Sequence, residues 1–247
     1  MKARINEIFS SIQGEGPVVG YKQLFIRFCG CNLNCEYCDT EFENGIEYTP
    51  AELFEKITTE YDLSTFHSIS LTGGEPLRSV DFLAEFLKIY KNCNSEVNKM
   101  RSFANTQNDG NIGGSGNFPK IYLETNATLY ENLTKIKSYI DIISADIKLK
   151  SSTGLDTMNL HEKFFEKCNG VETFAKIVFD ENITDDEITR CCEMAQKYNL
   201  PLVLQPKMIG DKMSVSSDFG GEILDKFISK HQDTRLVPQV HKFLNVR

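Results

Sequence analysis

No apolar stretch in this 247-residue sequence is long enough to form a bilayer-spanning helix, which argues against a membrane protein. The opening residues, MKARINEIFSSIQGEG, show neither an apolar segment nor a cleavage site, so we expect no secretory signal. An excess of basic residues is also missing. The net charge is −8, which argues against a broad nucleic-acid surface. We therefore expect a cytoplasmic protein without membrane or nucleic-acid partners.

The sequence also lacks the paired ligand motifs of a structural zinc site, because no second C-x2-C and no H-x3-H follows the first cysteine cluster. Eight cysteines are present, and a reducing cytoplasm favours metal or cluster chemistry over disulfides. Four of them lie in CGCNLNCEYC, residues 29–38. Cys31, Cys35 and Cys38 have the spacing C-x3-C-x2-C. Three soft thiolates on one loop can bind three corners of a compact cluster and leave the fourth corner open.

Predicted strands and helices alternate six times along the chain. The predicted strands cover residues 23–29, 67–76, 120–126, 140–148, 174–179 and 201–206. The predicted helices cover residues 50–61, 79–90, 130–138, 160–168, 184–198 and 217–231. This order predicts an α/β protein with parallel βα units. Six units are too few for an eight-unit barrel, so we expect one domain, residues 1–247, with a partial barrel or an open sheet.

Two local patterns refine this prediction. In QLFIRFC, residues 23–29, Phe25, Arg27 and Cys29 alternate with apolar residues, which directs the arginine toward the interior. Residues 94–118 are polar and rich in Asn, Gly and Ser, which is typical of a mobile surface insertion. Sites in parallel α/β folds gather at the carboxyl ends of the strands. The residues at those predicted ends are Cys31, Gly73, Glu124, Asp146 and Gln205.

The cysteine loop, with Tyr37 before its last cysteine, resembles the signature of the radical S-adenosylmethionine (SAM) superfamily. TGGEP at residues 72–76 resembles that superfamily's GGEP element, and glycines there would allow close approach to a ligand. ETN (124–126) and SADIK (144–148) resemble its strand ends that contact SAM. The resemblance implies a partial (β/α)6 barrel holding a [4Fe–4S] cluster on Cys31, Cys35 and Cys38, whose open iron chelates SAM. The cofactor-binding residues it implies are Tyr37, Cys38, Asp39, Gly73, Gly74, Glu75, Glu124, Asn126, Ser144, Asp146 and Lys148.

The flanking segments are more specific. FSSIQGEG (9–16), Arg27, the Cys-Asp-Thr of residues 38–40 and PQVHK (238–242) together resemble the 7-carboxy-7-deazaguanine synthases. That family converts 6-carboxy-5,6,7,8-tetrahydropterin to 7-carboxy-7-deazaguanine, by hydrogen abstraction at C6, ring contraction and loss of ammonia. The implied catalytic residues are Arg27, Glu15 and Gln13. The implied substrate-binding residues are Ile12, Gln13, Gly14, Glu15, Arg27, Thr72, Gln205 and His241.

The chemistry of these residues agrees with such a substrate. Arg27 can pair with its carboxylate in a fork, and Gln13 and Glu15 suit the guanidine-like edge of a pterin. Thr40 is a hard oxygen ligand, and the family implies Mg²⁺ there. The resemblance further implies a flavodoxin- or ferredoxin-type reductant and a homodimer.

Two other interpretations remain open from the sequence. A glycyl-radical-enzyme activase also carries C-x3-C-x2-C, GGEP and a strand ending in Asp-Ile-Lys, but it would lack SIQGEG, and His-Asn-Pro usually follows its cluster loop. A non-catalytic zinc-binding module would be colourless, whereas a cluster protein is brown and is bleached by air. The sequence also departs from some relatives, which have Ser-Pro-Lys where this chain has SADIK.

Overall fold

A computed structural model describes residues 1–35, 45–105 and 118–246, with the backbone alone for residues 97–105. The longer strands are β1 (Ala3–Ile12), β2 (Lys22–Phe28), β3 (Ile46–Tyr48), β4 (Ser68–Gly73), β5 (Lys120–Thr125), β6 (Ile142–Ile147), β7 (Glu172–Phe179), β8 (Leu202–Pro206) and, last in the chain, β11 (Thr234–Leu236). A small hairpin joins β9 (Met208–Ile209) and β10 (Lys212–Met213). The helices are α1 (Pro50–Glu60), α2 (Val80–Asn105), α3 (Tyr130–Ile136), α4 (Lys150–Thr153), α5 (Met158–Lys167), α6 (Asp185–Tyr198), α7 (Ser217–Ile228) and α8 (Val240–Phe243).

Nine strands form one sheet in the order β11-β8-β7-β6-β5-β4-β2-β1-β3. The strands β2, β4, β5, β6, β7 and β8 are parallel to their neighbours in this order, and helices of the predicted βα units connect them along the chain. The parallel α/β fold is therefore confirmed. The described sheet keeps two edges, β3 and β11, as a partial barrel does. All predicted strands of the parallel set lie within a few residues of their observed bounds.

The antiparallel strands β1 and β3 were not predicted. β1 pairs with β2 from Ile5 opposite Phe28 to Ile12 opposite Lys22, with a register shift between Ile5 and Glu7. A bulge of this kind moves successive side chains out of strict alternation, so the period of two that marks a strand is lost in the sequence. The end of β1 carries the chain into the loop of residues 13–16, which enters the interior.

Capping residues fix the helix starts. Thr49 and Glu52 form the predicted capping box at α1, and Thr184 and Glu187 form another at α6. Helix α2 is longer than predicted, because it continues to Asn105. The helix therefore continues through residues 94–105 of the predicted polar insertion, while residues 106–117 lie outside the described residues; the mobility of this insertion stays a prediction. Polar composition indicates exposure to solvent, which a surface helix shares with a loop.

The apolar core lies mainly between the sheet and its helices. A second, small cluster fills the interior at the starting ends of the parallel strands; it consists of Tyr122, Ile142, Phe174 and Val203. Since this end is closed by packed side chains, the open space of the interior lies toward the carboxyl ends. Among the described residues, no helix combines the length and the apolar character needed to cross a bilayer.

Candidate active site

Two adjoining cavities lie at the carboxyl ends of the parallel strands. The larger has a volume of about 240 Å³ and receives residues from the ends of β2, β4, β5, β6, β7 and β8. The smaller, of about 140 Å³, is enclosed by β1, β2, the loop after β1 and the carboxyl-terminal segment. Both are lined by Glu15, Arg27, Thr72, Glu124 and Gln239. Parallel strands bring these distant residues to one edge, as the sequence predicts.

The described part of the cysteine loop faces the larger cavity. Cys31 and Cys35 line it, and Cys31 Sγ accepts hydrogen bonds from the Leu33 backbone N–H (3.4 Å) and from Asn126 Nδ2 (3.5 Å). N–H donors to sulfur are typical of cysteines that bind iron–sulfur clusters. These two residues therefore fit a cluster. Four predicted residues of the loop, Tyr37, Cys38, Asp39 and Thr40, lie outside the described residues.

The glycine turn after β4 packs directly on the cysteine loop. Gly73 has φ +122°, and a Cβ atom on Gly74 would overlap the carbonyl of Gly30. Only glycines permit this backbone path and this close approach. Gly73 and Gly74 both line the larger cavity. The predicted role of this element, close backbone approach to a ligand, is compatible with its position.

Glu75 lies behind the cavity wall. It is fully buried and accepts from the backbone N–H groups of Leu77 (3.0 Å) and Asn126 (2.7 Å) and from Thr125 Oγ1 (2.9 Å). Burial raises its pKa to about 7, despite the donors that lower it. The carboxyl group joins the glycine turn to the end of β5. Neither Glu75 nor Ser144, which is buried on β6, lines either cavity. Their predicted contacts with SAM stay predictions.

Lys176 on β7 is a charged residue of the site that the sequence analysis did not predict. Its side chain is 9% exposed, and its Nζ pairs with Glu15 Oε2 and, at 3.2 Å, with Asp146 Oδ1. Lys148 Nζ holds the other oxygen of Asp146 at 2.9 Å. Burial would raise the pKa of Glu15, but Lys176 and its hydrogen bond lower it to about 2. The same carboxylates raise the pKa of Lys176, against the effect of burial. The only sequence signal was one lysine within the apolar strand FAKIVF.

Gln13 holds the loop after β1 in place. Its Nε2 donates to Gln23 Oε1 (3.0 Å) and to Glu124 Oε1 (2.9 Å), and its Oε1 accepts from the Glu15 backbone N–H (3.0 Å). Glu124 also accepts from Thr72 Oγ1 (2.6 Å). Both amide hydrogens of Gln13 are thereby used within the protein. The predicted direct contact of its side chain with a pterin stays a prediction; the geometry shows that it orients Glu15 and Glu124.

Arg27 points into both cavities from β2, as the alternation predicts. Its Nε donates to Glu7 Oε1 at 2.7 Å, and its guanidinium lies 5.6 Å from the centre of the Phe9 ring. Phe9 stacks on Phe25 across the strand pair, with ring centres 5.1 Å apart, and both rings line the smaller cavity. The guanidinium is thus held beside an aromatic wall of the smaller cavity.

The carboxyl-terminal segment closes the smaller cavity. The Val240 N–H donates to the Gly14 carbonyl (2.9 Å), and Gln239 Nε2 donates to Glu15 Oε1 (2.6 Å). His241, which was predicted, lines the cavity and lies against Gly14, whereas Gln239 was not predicted. From β8, Gln205 Nε2 also donates to Glu15 Oε1 at 3.2 Å. Gln205 is 2% exposed, and no described residue donates to its Oε1.

The structure therefore brings most predicted residues to the two cavities. Those of the predicted set that line them are Ile12, Gln13, Gly14, Glu15, Arg27, Cys31, Cys35, Thr72, Gly73, Gly74, Glu124, Asn126, Asp146, Lys148, Gln205 and His241. The lining residues that were missed include Lys176, Lys207, Met208, Gln239 and Lys242.

Comparisons with known proteins show the family and the fold of the chain. The Radical SAM superfamily model matches residues 25–210. A 7-carboxy-7-deazaguanine synthase of Geobacter sulfurreducens is 33% identical over 98% of this chain and 97% of its own length. Another, of Archaeoglobus fulgidus, is 34% identical over the whole of both chains. The crystal structure of QueE from Escherichia coli superposes with a TM-score of 0.60 at 18% identity, covering 98% of this chain and 95% of the other.

Proposed function

The chain belongs to the 7-carboxy-7-deazaguanine synthase family of the radical SAM superfamily, and we propose that its two cavities hold the substrate and the cofactor of that reaction. The enzyme converts 6-carboxy-5,6,7,8-tetrahydropterin to 7-carboxy-7-deazaguanine, with ring contraction and release of ammonia. The product is an intermediate of queuosine and related 7-deazapurines. We assign the pterin to the smaller cavity and SAM to the larger one.

One observation carries this assignment. A cationic fork, Arg27, and an ionised carboxylate, Glu15, both line the smaller cavity beside the aromatic pair Phe9 and Phe25. A flat substrate with a carboxylate at one end and a guanidine-like edge at the other needs the same arrangement of opposite charges. Gln205 Oε1, buried without a described donor, supplies a further acceptor in the adjoining larger cavity for a ligand N–H or O–H.

Cofactor binding falls to the larger cavity. Cys31 and Cys35, with Cys38, would hold a [4Fe–4S] cluster, and Gly73, Gly74, Asn126, Asp146 and Lys148 would surround SAM. When bound, this pair supplies the radical that removes the substrate hydrogen. Arg27, Thr72 and Glu124 line both cavities and so stand between the two ligands. The protein's own contribution is position: it keeps the reacting atoms adjacent and excludes water.

The remaining parts of the proposal extend beyond the described site. We place Mg²⁺ on Thr40, where a hard oxygen next to the cluster loop could bridge to the substrate carboxylate. A flavodoxin- or ferredoxin-type protein supplies the electron, and the enzyme works as a homodimer in the cytoplasm. The seven cysteines in the described residues form no disulfide with one another, which is compatible with a reducing compartment.

The proposal is tested by turnover under anaerobic conditions. We expect the reconstituted protein, given SAM, Mg²⁺, dithionite and the carboxytetrahydropterin, to form carboxydeazaguanine, detected by mass. A matched reaction with the pterin lacking its carboxylate should give no product, because Arg27 then has no anion to bind. A brown protein that cleaves SAM but leaves the pterin unchanged would retain the superfamily and overturn the substrate, in favour of a glycyl-radical-enzyme activase.

Replacing Gly14 with alanine should impair pterin binding specifically. The added Cβ would lie 2.7 Å from His241 Cβ and Cγ, so the carboxyl-terminal segment must move away from the cavity. We expect the KM for the pterin to rise about tenfold or more, the equivalent of about 1.4 kcal/mol, while the KM for SAM changes little.

Gly221→Ala is the matched control, because a Cβ on Gly221 in α7 meets no atom within 4 Å. Alanine favours a helix interior, so this variant should keep wild-type kinetics and the same or a higher melting temperature. Equal KM values for the two variants would contradict the assignment of the pterin to the smaller cavity.

A further inference from the structure

We propose that Lys176 is a positioning residue of the pterin site, which aims Glu15 at the substrate and keeps it ionised through a shared buried ion pair with Asp146. The inference rests on the proposed function, since it explains how Glu15 is oriented and charged to bind the guanidine-like edge of the pterin. Lys176 lies on β7 and lines the larger cavity, as Arg27 of β2 does. It touches Glu15, which lines both cavities.

The geometry assigns each oxygen of Glu15 a separate support. Oε2 pairs with Lys176, while Oε1 accepts from Gln205 (3.2 Å) and Gln239 (2.6 Å). Both amide donors are neutral and come from elements at the edge of the site, β8 and the segment before α8. Lys176 is the charged group that bonds Glu15 directly among the described contacts, and the charge of His241 also lowers the pKa of Glu15. A buried carboxylate without such a cation is expected to take up a proton.

Lys176 also balances charge across the whole site. The acidic groups that line the cavities are Glu15, Glu124 from β5 and Asp146 from β6. The basic groups facing them are Arg27 from β2, Lys148 from β6, Lys176 from β7, Lys207 after β8, and His241 and Lys242 from α8. Among these, Lys176 bridges two carboxylates on different elements. Its Nζ pairs with Glu15 Oε2 and lies 3.2 Å from Asp146 Oδ1. Its removal leaves Asp146 paired with Lys148, whereas Glu15 keeps the two neutral amide donors and the charge of His241.

The consequence is a testable pH dependence. With Lys176 present, Glu15 stays ionised near neutral pH, because the ion pair with Lys176 holds its pKa well below the ordinary value. Without Lys176, burial raises the pKa of Glu15 unopposed by its closest cation. Protonated Glu15 then loses an acceptor for the pterin's N–H groups. Pterin binding should therefore weaken as the pH falls in the Lys176→Met variant, and it should not in the wild type.

The experiment measures the KM for the pterin, the KM for SAM and kcat between about pH 6 and pH 8 for wild type and Lys176→Met. We expect the variant's pterin KM to rise about tenfold at the upper pH and further at the lower pH, with a smaller change in uncoupled SAM cleavage. Lys176→Arg keeps the charge and should restore a pH-independent KM. Lys197→Met removes an exposed lysine of α6 that pairs with Glu162, and it should match wild type.

A double variant separates positioning from a merely structural role and remains informative if Lys176→Met does not fold. The first variant is Glu15→Gln and the second is Glu15→Gln/Lys176→Met. Both lack the Glu15 carboxylate through which Lys176 would act, so we expect their pterin KM values to agree within about twofold. A further large rise on adding Lys176→Met, or a pH-independent KM in the single variant, would overturn the inference. Failure of the proposed function is distinct, because wild type itself would then leave the pterin unchanged.

Discussion

The Cys35→Ala variant should lose SAM cleavage and pterin turnover together, each by more than about 100-fold. Loss of a residue that only supports a metal ligand costs up to about 100-fold in activity, and loss of a ligand itself should cost more. Cys35 lines the larger cavity with Cys31 and belongs to the C-x3-C-x2-C loop. A cluster held by three thiolates cannot keep its open corner toward SAM when one ligand is removed. We expect retained iron and sulfide to fall in parallel with activity after anaerobic reconstitution.

Cys29→Ala is the matched control. Cys29 lies only two residues before Cys31, but its side chain packs against neighbouring residues and is not a predicted cluster ligand. It is half-buried against Gly45, and burial raises the pKa of its thiol. This variant should keep its cluster and its activity. Wild-type SAM cleavage by Cys35→Ala, or cluster loss in Cys29→Ala with retention in Cys35→Ala, would contradict the ligand assignment. A colourless protein with bound zinc would instead support the zinc-module interpretation.

The Arg27→Met variant should lose about 100-fold or more in kcat/KM for the pterin while it still cleaves SAM without substrate. Removing one partner of a buried, hydrogen-bonded charge pair costs about 2–5 kcal/mol, which corresponds to roughly 30-fold to several thousandfold. Arg27→Lys keeps the charge but loses the planar fork, so we expect an intermediate loss of about tenfold. The measurement is steady-state kinetics in the pterin at saturating SAM, with uncoupled 5′-deoxyadenosine formation followed in parallel.

Two controls separate substrate binding from the contact of Arg27 with Glu7. Glu7→Gln removes the carboxylate charge at 2.7 Å from Arg27 Nε and should leave kcat/KM within a fewfold of wild type. Arg235→Met removes an exposed arginine on β11 that pairs with Asp233, and it should have no effect. If Glu7→Gln reproduced the Arg27→Met defect, Arg27 would serve the strand pair β1 and β2 rather than the substrate.

The sequence by itself determined the parallel part of the fold. Alternating strand and helix patterns predicted the βα units, and Thr49 with Glu52 predicted the start of α1, because caps and hydrophobic periodicity are local properties. It also determined the cysteine loop, the glycine turn and the inward direction of Arg27. Each of these depends on residue type and spacing over fewer than about a dozen positions, so each can be recognised in the sequence without the tertiary structure.

The tertiary structure alone decided how these residues support one another. The bulge in β1 hid a strand, since it broke the alternation on which recognition depends. Glu15, Gln205 and Gln239 meet only because the loop after β1 and the carboxyl-terminal segment converge on the carboxyl ends of the parallel strands. Lys176 was invisible for the same reason. One lysine in an apolar strand has no local signature, and its significance arises from two carboxylates that the fold brings to it from distant parts of the chain.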